Sequence, residues 1–362
     1  MQGDTTNIPT QVVKQFEITY TQCLQADGTA LALPHFANPD HLKRLYSALT
    51  HTRLFDAKAI ALQRTGKMGT YPSVLGQEAI GVGIGAAMSP ADVLCPYYRE
   101  LGAQLWRGVK MAEILAYWGG DERGNDFSAT RQDFPICVPI ASQTLHAVGV
   151  ATALQYRKIP QAVVTVIGDG GTSRGDFYEA MNLAGVWQLP VVFVINNNGW
   201  AISVPSAEQT HAETFAQKSI AAGIMGEQVD GNDVIAVQYA VERALNKAKM
   251  GGGPSVIEAI THRMGDHTTA DDARRYRDES VWKAYQALDP ILRLKTYLVG
   301  QQLWDEVQEQ SCKDKCTAEI ALAVAEYESM QPMPVSSIFT HLYANLPSDC
   351  QKQIDDAVKW YG

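Results

Sequence analysis

A chain of 362 residues with 46% hydrophobic and 19% charged residues can bury a sizeable core, as one large domain or two modest ones. A net charge of −9 without any Lys/Arg cluster disfavours nucleic acid as a partner, and no apolar run reaches the length of a membrane span. The N-terminus lacks a basic-then-apolar signal pattern, so a cytoplasmic protein is expected. Six cysteines (Cys23, Cys95, Cys137, Cys312, Cys316 and Cys350) are scattered with no accompanying second Cys or His pair, which argues for reduced thiols over zinc.

In chain order, residues 1–38 read as an irregular lead-in with a turn at Asp27-Gly28. Asn38 or Asp40 can cap a helix running through Leu45 and Leu49 toward Leu62. Residues 76–88 read as a helix of small residues (Ala79, Gly83, Ala86, Ala87), suited to close packing against another backbone. A further helix is expected over 110–118, a polar loop over 119–134, and a helix over 143–156. Residues 162–167 (AVVTVI) form an apolar, β-branched run of strand length, suited to a parallel sheet covered on both faces. Phe177, Met181 and Ala184 then recur at helical spacing until Leu189-Pro190, and 191–195 reads as the next strand. A short strand at 225–229 precedes a helix over 234–249 capped by Asp233. After the break at 251–254, residues 255–261 read as another buried strand. From about residue 280 the chain reads as a helical tail with a helix start at Asp289-Pro290. Strands alternating with helices make the fold class α/β. The domain expectation is a lead-in (1–38), an α/β domain (39–280) and a helical tail packed on it (281–362).

The segment from Gly168 to Trp200 carries the chemistry. Asp169 follows one strand and Asn198 follows the next, in a β-α-β unit whose strands run the same way. If those strands are neighbours, both side chains reach the C-terminal edge of the sheet, where open α/β sheets bind ligands. Gly168, Gly170 and Gly171 permit a tight turn and close backbone approach, and the helix start offers N–H donors to phosphate. Asp169 and Asn198 supply the hard oxygens that Mg²⁺ takes sparingly, leaving the rest of its shell to phosphate. No Gly-Lys-Ser/Thr is present, and Ser173 stands where a dinucleotide fingerprint needs its last glycine.

Gly-Asp-Gly followed by Asn-Asn at the next strand end resembles the thiamin diphosphate signature. The stretches 67–71 (KMGTY), 76–79 (GQEA), 97–101 (YYREL) and 263–272 (RMGDHTTADD), in that order, resemble the α subunit of the E1 component of 2-oxo acid dehydrogenase complexes. The likeness spans roughly residues 15 to 330 and is nearest to the bacterial pyruvate branch.

The resemblance implies a thiamin diphosphate-binding fold and a set of roles. Asp169, Asn198 and the backbone carbonyl of Trp200 would hold Mg²⁺. Gly168, Gly170 and Gly171 would line the diphosphate, with Tyr98 and Arg99 on its oxygens. The backbone near Val138 and Ile140 would touch the aminopyrimidine, and His267 would be the active-site histidine over the thiazolium. A chain of this length would hold only the diphosphate-binding module, so an E1 β subunit would supply the activating Glu in an α₂β₂ assembly. The implied reaction is decarboxylation of a small 2-oxo acid with reductive acylation of a lipoyl group on an E2 acyltransferase.

Plainer readings stand beside these. Arg99 could pair with Glu100 or Glu113 on a helix surface, His267 could be an ordinary loop residue, and the charges at 271–275 could be solvated or belong to a loop that orders over the cofactor. Glu78 reads as a helix-start residue. The chain departs from the family at Arg174, where many members carry Glu or Gln, and at Trp200, where they carry Tyr or Phe. It also departs at 70–72 (TYP), which lacks a His found before Gly-Gln-Glu-Ala in some members, and at Thr268, where eukaryotic members have a regulatory serine. Branched-chain 2-oxo acid and acetoin dehydrogenase α subunits share the motifs. Residues 15–17 (QFE) and Leu303-Trp304 favour pyruvate. A catalytically silent assembly subunit is the reading outside enzymes; a nicotinamide-dependent oxidoreductase is disfavoured by Ser173.

Overall fold

The β-branched runs become the middle of a parallel sheet, because only strands covered by helices on both faces can be apolar on every side chain. A computed structural model describes residues 10–361. Its strands are β1 (Thr19–Thr21), β2 (Val93–Cys95), β3 (Val163–Gly168), β4 (Val191–Asn197), β5 (Trp200–Ala201), β6 (Val204–Pro205), β7 (Met225–Asp230) and β8 (Ser255–Ile260). Among the described residues, six of them form one sheet in the order β1-β7-β8-β4-β3-β2, and every pairing in it is parallel. The remaining two, β5 and β6, make a small antiparallel ribbon.

Side-chain alternation splits the core between the two faces of the sheet. Val164, Val166, Val192 and Val194 pack with Ile80 and Ile84 of the helix Glu78–Ala87 and Val237 of the helix Val234–Lys249. On the other face Val163, Ile167, Phe193 and Ile195 meet Val148 and Ala151 of Ser142–Tyr156 and Phe177 and Met181 of Gly175–Trp187. The small residues of Glu78–Ala87 serve close approach, as expected: a Cβ on Gly83 would lie 2.7 Å from Val237 Cγ1, and one on Gly81 3.2 Å from the Gly102 backbone. The long helix Pro39–Arg64 starts at Asn38, whose side chain accepts the His41 N–H at 3.0 Å. Asp233 and Asp289 cap their helices as their positions foretold.

Two expectations need correcting, and two short elements went unannounced. The lead-in is not irregular throughout; residues 1–9 of it lie outside the described residues, but β1 joins the sheet edge beside β7, and the N–H groups of Cys23 and Leu24 donate to Asp233 at 2.7 and 2.6 Å. A three-residue edge strand of Thr-Tyr-Thr has no apolar alternation to announce it. Strand β2 and the helix Leu101–Trp106 were likewise too short to show a period. In the tail, Pro290–Gly300 and Glu306–Ser329 contribute buried residues such as Leu294, Leu298, Ile320 and Val324, whereas Ser348–Tyr361 buries none. No helix among the described residues is long and apolar enough to cross a membrane.

Candidate active site

Strands β3 and β4 are direct neighbours, with Gly168 opposite Asn196, so the residues that follow leave the sheet side by side. Asp169 and Asn198 are both buried there, and both border one cavity. The Ser206 hydroxyl donates to the Asp169 carboxylate at 3.2 Å. Burial outweighs this donor and pushes the Asp169 carboxyl up to about 6. Asn198 Oδ1 accepts the Trp200 N–H at 3.2 Å, while its Nδ2 donates to Gln77 Oε1 at 3.0 Å.

Gly168, Gly170 and Gly171 all border the same cavity, but none adopts a left-handed φ. They serve proximity instead. A Cβ on Gly170 would lie 2.6 Å from Ala201 Cβ, and one on Gly171 2.6 Å from Ile167 Cγ1. The turn itself is a 3₁₀ segment, Asp169–Ser173, and the helix proper begins at Gly175. Lys218 braces it, donating from Nζ to Thr172 Oγ1 at 2.9 Å.

Arg99 and His267 arrive from the ends of β2 and β8. Arg99 is buried and pairs with neither Glu100 nor Glu113. It donates from Nη1 to the Ser73 carbonyl and from Nη2 to the His267 carbonyl at 2.5 Å, with His267 Nδ1 at 3.0 Å. His267 Nδ1 also lies 3.4 Å from Arg263 Nη1. An imidazole nitrogen facing two guanidinium groups must be the acceptor, which leaves the proton on Nε2. Burial, then Arg99 and Arg263, push the His267 pKa down to about 4, so the ring is neutral at physiological pH. The Asp271 carboxylate accepts the backbone N–H of His267 at 2.8 Å and a hydrogen bond from the Tyr276 hydroxyl, so Asp271 works within the loop while Asp272 makes an exposed pair with Arg274. Asp169, Asn198, Arg99, Arg263 and His267 border one cavity of about 250 Å³, with Tyr98, Ile140 and Trp200 also on its wall; Val138 lies outside that wall.

The family described as Dehydrogenase E1 component matches residues 46–336. The chain belongs to that family. A pyruvate dehydrogenase E1 component subunit alpha from Acholeplasma laidlawii is 40% identical over 88% of this chain and 93% of its own length. A 3-methyl-2-oxobutanoate dehydrogenase subunit alpha from Mycobacterium tuberculosis is 38% identical over 97% of this chain and 96% of its own length. One from Staphylococcus aureus, again a pyruvate dehydrogenase E1 component subunit alpha, is 36% identical over 87% of this chain. This is therefore the E1 α subunit of a 2-oxo acid dehydrogenase, an oxidoreductase of a thiamin diphosphate-dependent family.

The E1 α cavity suits such a cofactor on its own chemistry. A buried carboxylate held ionised only at a cost is a site that a cation would relieve, and Arg99 brings a guanidinium to the same wall. Among the described residues no group of three or more His, Cys, Asp or Glu could hold a metal. A cation beside Asp169 would thus draw most of its oxygens from amide, carbonyl and ligand, as Mg²⁺ does on a diphosphate. Sequence reasoning assigned no role to Arg263, Gln77 or Ala141. Arg263 is nearly fully buried and bonds the Ile202 carbonyl at 2.7 Å and Tyr276 Oη at 2.9 Å. Its place just past β8 was the available signal. Ala141 borders the cavity with φ 74°, a strained conformation for an alanine that no sequence pattern betrays. Glu78 is the helix-start residue it was read to be, buried against Arg53 and accepting the Gly76 N–H at 3.0 Å.

Proposed function

We propose that this E1 α subunit serves a pyruvate dehydrogenase complex, in which an E1 β subunit completes the site and an E2 acyltransferase presents the lipoyl acceptor. The convergence of Asp169 and Asn198 from neighbouring strand ends carries the reading. Asp169, the Asn198 side-chain oxygen and the Trp200 carbonyl hold Mg²⁺. Gly168, Gly170 and Gly171, with Tyr98 and Arg99, would receive the diphosphate, and the backbone at Ile140 would flank the aminopyrimidine; Val138 stands just outside the cavity wall. When bound, thiamin diphosphate supplies a stabilised carbanion at which a 2-oxo acid loses CO₂.

The chain's own residues do the rest. Arg99 orients the diphosphate and ties the loop after β8 to the site. His267 presents its Nε2 proton as a neutral donor, able to orient the substrate carboxylate or pass a proton to the lipoyl group. Ile140 and Ile202 give the cavity apolar walls.

Two relatives named for pyruvate dehydrogenase and the 15–17 and Leu303-Trp304 stretches support pyruvate. Branched-chain 2-oxo acids are the second reading, favoured by the mycobacterial relative, which aligns over 97% of this chain. The test is turnover of pyruvate, 3-methyl-2-oxobutanoate and acetoin by this chain co-expressed with its β subunit. Pyruvate should dominate. Preference for either other substrate overturns the pyruvate assignment, and full decarboxylase activity of this chain alone overturns the shared site. No turnover of any of them by a cofactor-loaded assembly would indicate a silent assembly subunit.

A further inference from the structure

We infer that Gln77 is a positioning residue for Asn198, holding its amide so that the side-chain oxygen, and not the nitrogen, is turned to the cation; this rests on the Mg²⁺ reading proposed above. Gln77 sits at the N-terminal cap position of the helix Glu78–Ala87. Its Oε1 accepts Asn198 Nδ2 at 3.0 Å, and both side chains are buried. An amide has two ends of nearly equal shape, and only its hydrogen bonds decide which end faces which way. The Trp200 N–H takes one lone pair of Asn198 Oδ1 at 3.2 Å. Gln77 takes the nitrogen end, which leaves the second lone pair of Oδ1 as the free group beside Asp169. An amide whose nitrogen donates is also a more basic oxygen donor, the usual effect of an outer partner on a metal ligand.

Gln77 itself is held in place. The residue before it, Gly76, has φ +90°, and a Cβ there would lie 2.4 Å from the His262 carbonyl, so the backbone entering Gln77 is fixed against the end of β8. The Gln77 N–H donates to the Val74 carbonyl at 2.8 Å. Its Nε2, by contrast, has no partner among the described residues. A buried glutamine with one satisfied end is a poor choice for packing alone, since an unpartnered buried donor is costly and a methionine would fill the same volume. The satisfied end is the carbonyl that Asn198 uses.

The experiment titrates Mg²⁺ alone into the co-expressed assembly at saturating thiamin diphosphate, reading cofactor uptake by calorimetry in wild type, Gln77→Met, Gln77→Glu and Asp169→Ala. Gln77→Met should raise the half-saturating Mg²⁺ about tenfold, the scale of an outer-partner loss. Gln77→Glu, which keeps an acceptor for Asn198 Nδ2, should stay within about threefold of wild type by the same comparison. The thermal midpoint without metal should be similar in both. Wild-type Mg²⁺ dependence in Gln77→Met, with Asp169→Ala defective, overturns the role of Gln77 while leaving the metal site standing. Equal loss in Gln77→Met and Gln77→Glu overturns it too, because the acceptor would then not matter. Wild-type Mg²⁺ dependence in Asp169→Ala brings down the metal reading itself. If Gln77→Met fails to fold, Gln77→Leu, which also removes the acceptor for Asn198 Nδ2, takes its place in the same comparison with the same expected loss.

Discussion

Arg99 grips His267 twice, at its backbone carbonyl (2.5 Å) and at Nδ1 (3.0 Å), and so joins the chain that leaves β2 to the loop that leaves β8. The same guanidinium also donates to the Ser73 carbonyl. One planar fork therefore sets the tautomer of the histidine and the position of its loop at once.

Replacing that fork by a point charge should separate the two effects. Arg99→Lys keeps a cation but cannot span three acceptors, so thiamin diphosphate affinity should fall about tenfold to a hundredfold, the range for losing charged hydrogen bonds. Limited proteolysis should then cut the loop 263–277 faster. Unchanged protection of that loop would show that Arg99 does not hold it.

Asp169→Ala should abolish Mg²⁺-dependent binding of thiamin diphosphate. Calorimetry on the αβ assembly decides it, and wild-type affinity would remove Asp169 from the metal site. Asp169→Asn should have the same effect on binding but should raise the thermal midpoint of the cofactor-free protein at pH 7.5. The sign follows from the carboxyl being pushed up to about 6: above that pH the folded state carries a buried charge that the unfolded state carries more easily. A lowered midpoint would contradict this.

His267→Ala should cut lipoyl acylation about 10²- to 10⁴-fold, the range for a positioned proton-transfer group. Cofactor affinity should change little, because the contact from Arg99 to the backbone carbonyl of residue 267 survives. Stopped-flow acylation beside calorimetry separates the two. A comparable loss in cofactor affinity would make the residue structural.

With its pKa near 4, His267 should remain neutral across physiological pH in the free protein. Between the ordinary value of 6.5 and about 4 the unfolded chain takes up this proton while the folded chain does not. The histidine's contribution to stability is therefore fully present above pH 6.5 and is lost progressively as pH falls toward 4. An imidazole resonance of residue 267 titrating near 6.5 in a heteronuclear NMR series would refute it.

Gly76→Ala tests the scaffold without any ligand. At φ +90° with the His262 carbonyl 2.4 Å from the new Cβ, the substitution should destabilise the chain by about 1–3 kcal/mol in chemical denaturation. A neutral result would mean that the junction between this glycine and the end of β8 yields easily.

Much of the architecture was legible because its signals are local. Apolar β-branched runs marked β3, β4 and β8, and Asn38, Asp233 and Asp289 marked helix starts, since a capping side chain acts on N–H groups only two or three residues away. Asp169 and Asn198 could be matched because adjacent parallel strands bring both to one edge. The three-residue strands β1 and β2 were silent, as no period fits in so short a segment.

Long-range packing settled what the spacing of residues left open. By spacing alone Arg99 reads more readily as a partner of Glu100 or Glu113, and only the approach of the loops after β2 and β8 turns it to His267. Protonation is decided the same way: burial and two guanidinium groups from distant segments make His267 neutral, and burial alone outweighs the donors at Asp169. Residue type and spacing announce which groups can do chemistry; their charge state and hydrogen-bond direction come from neighbours that are remote in the chain, because desolvation and Coulomb forces act through space.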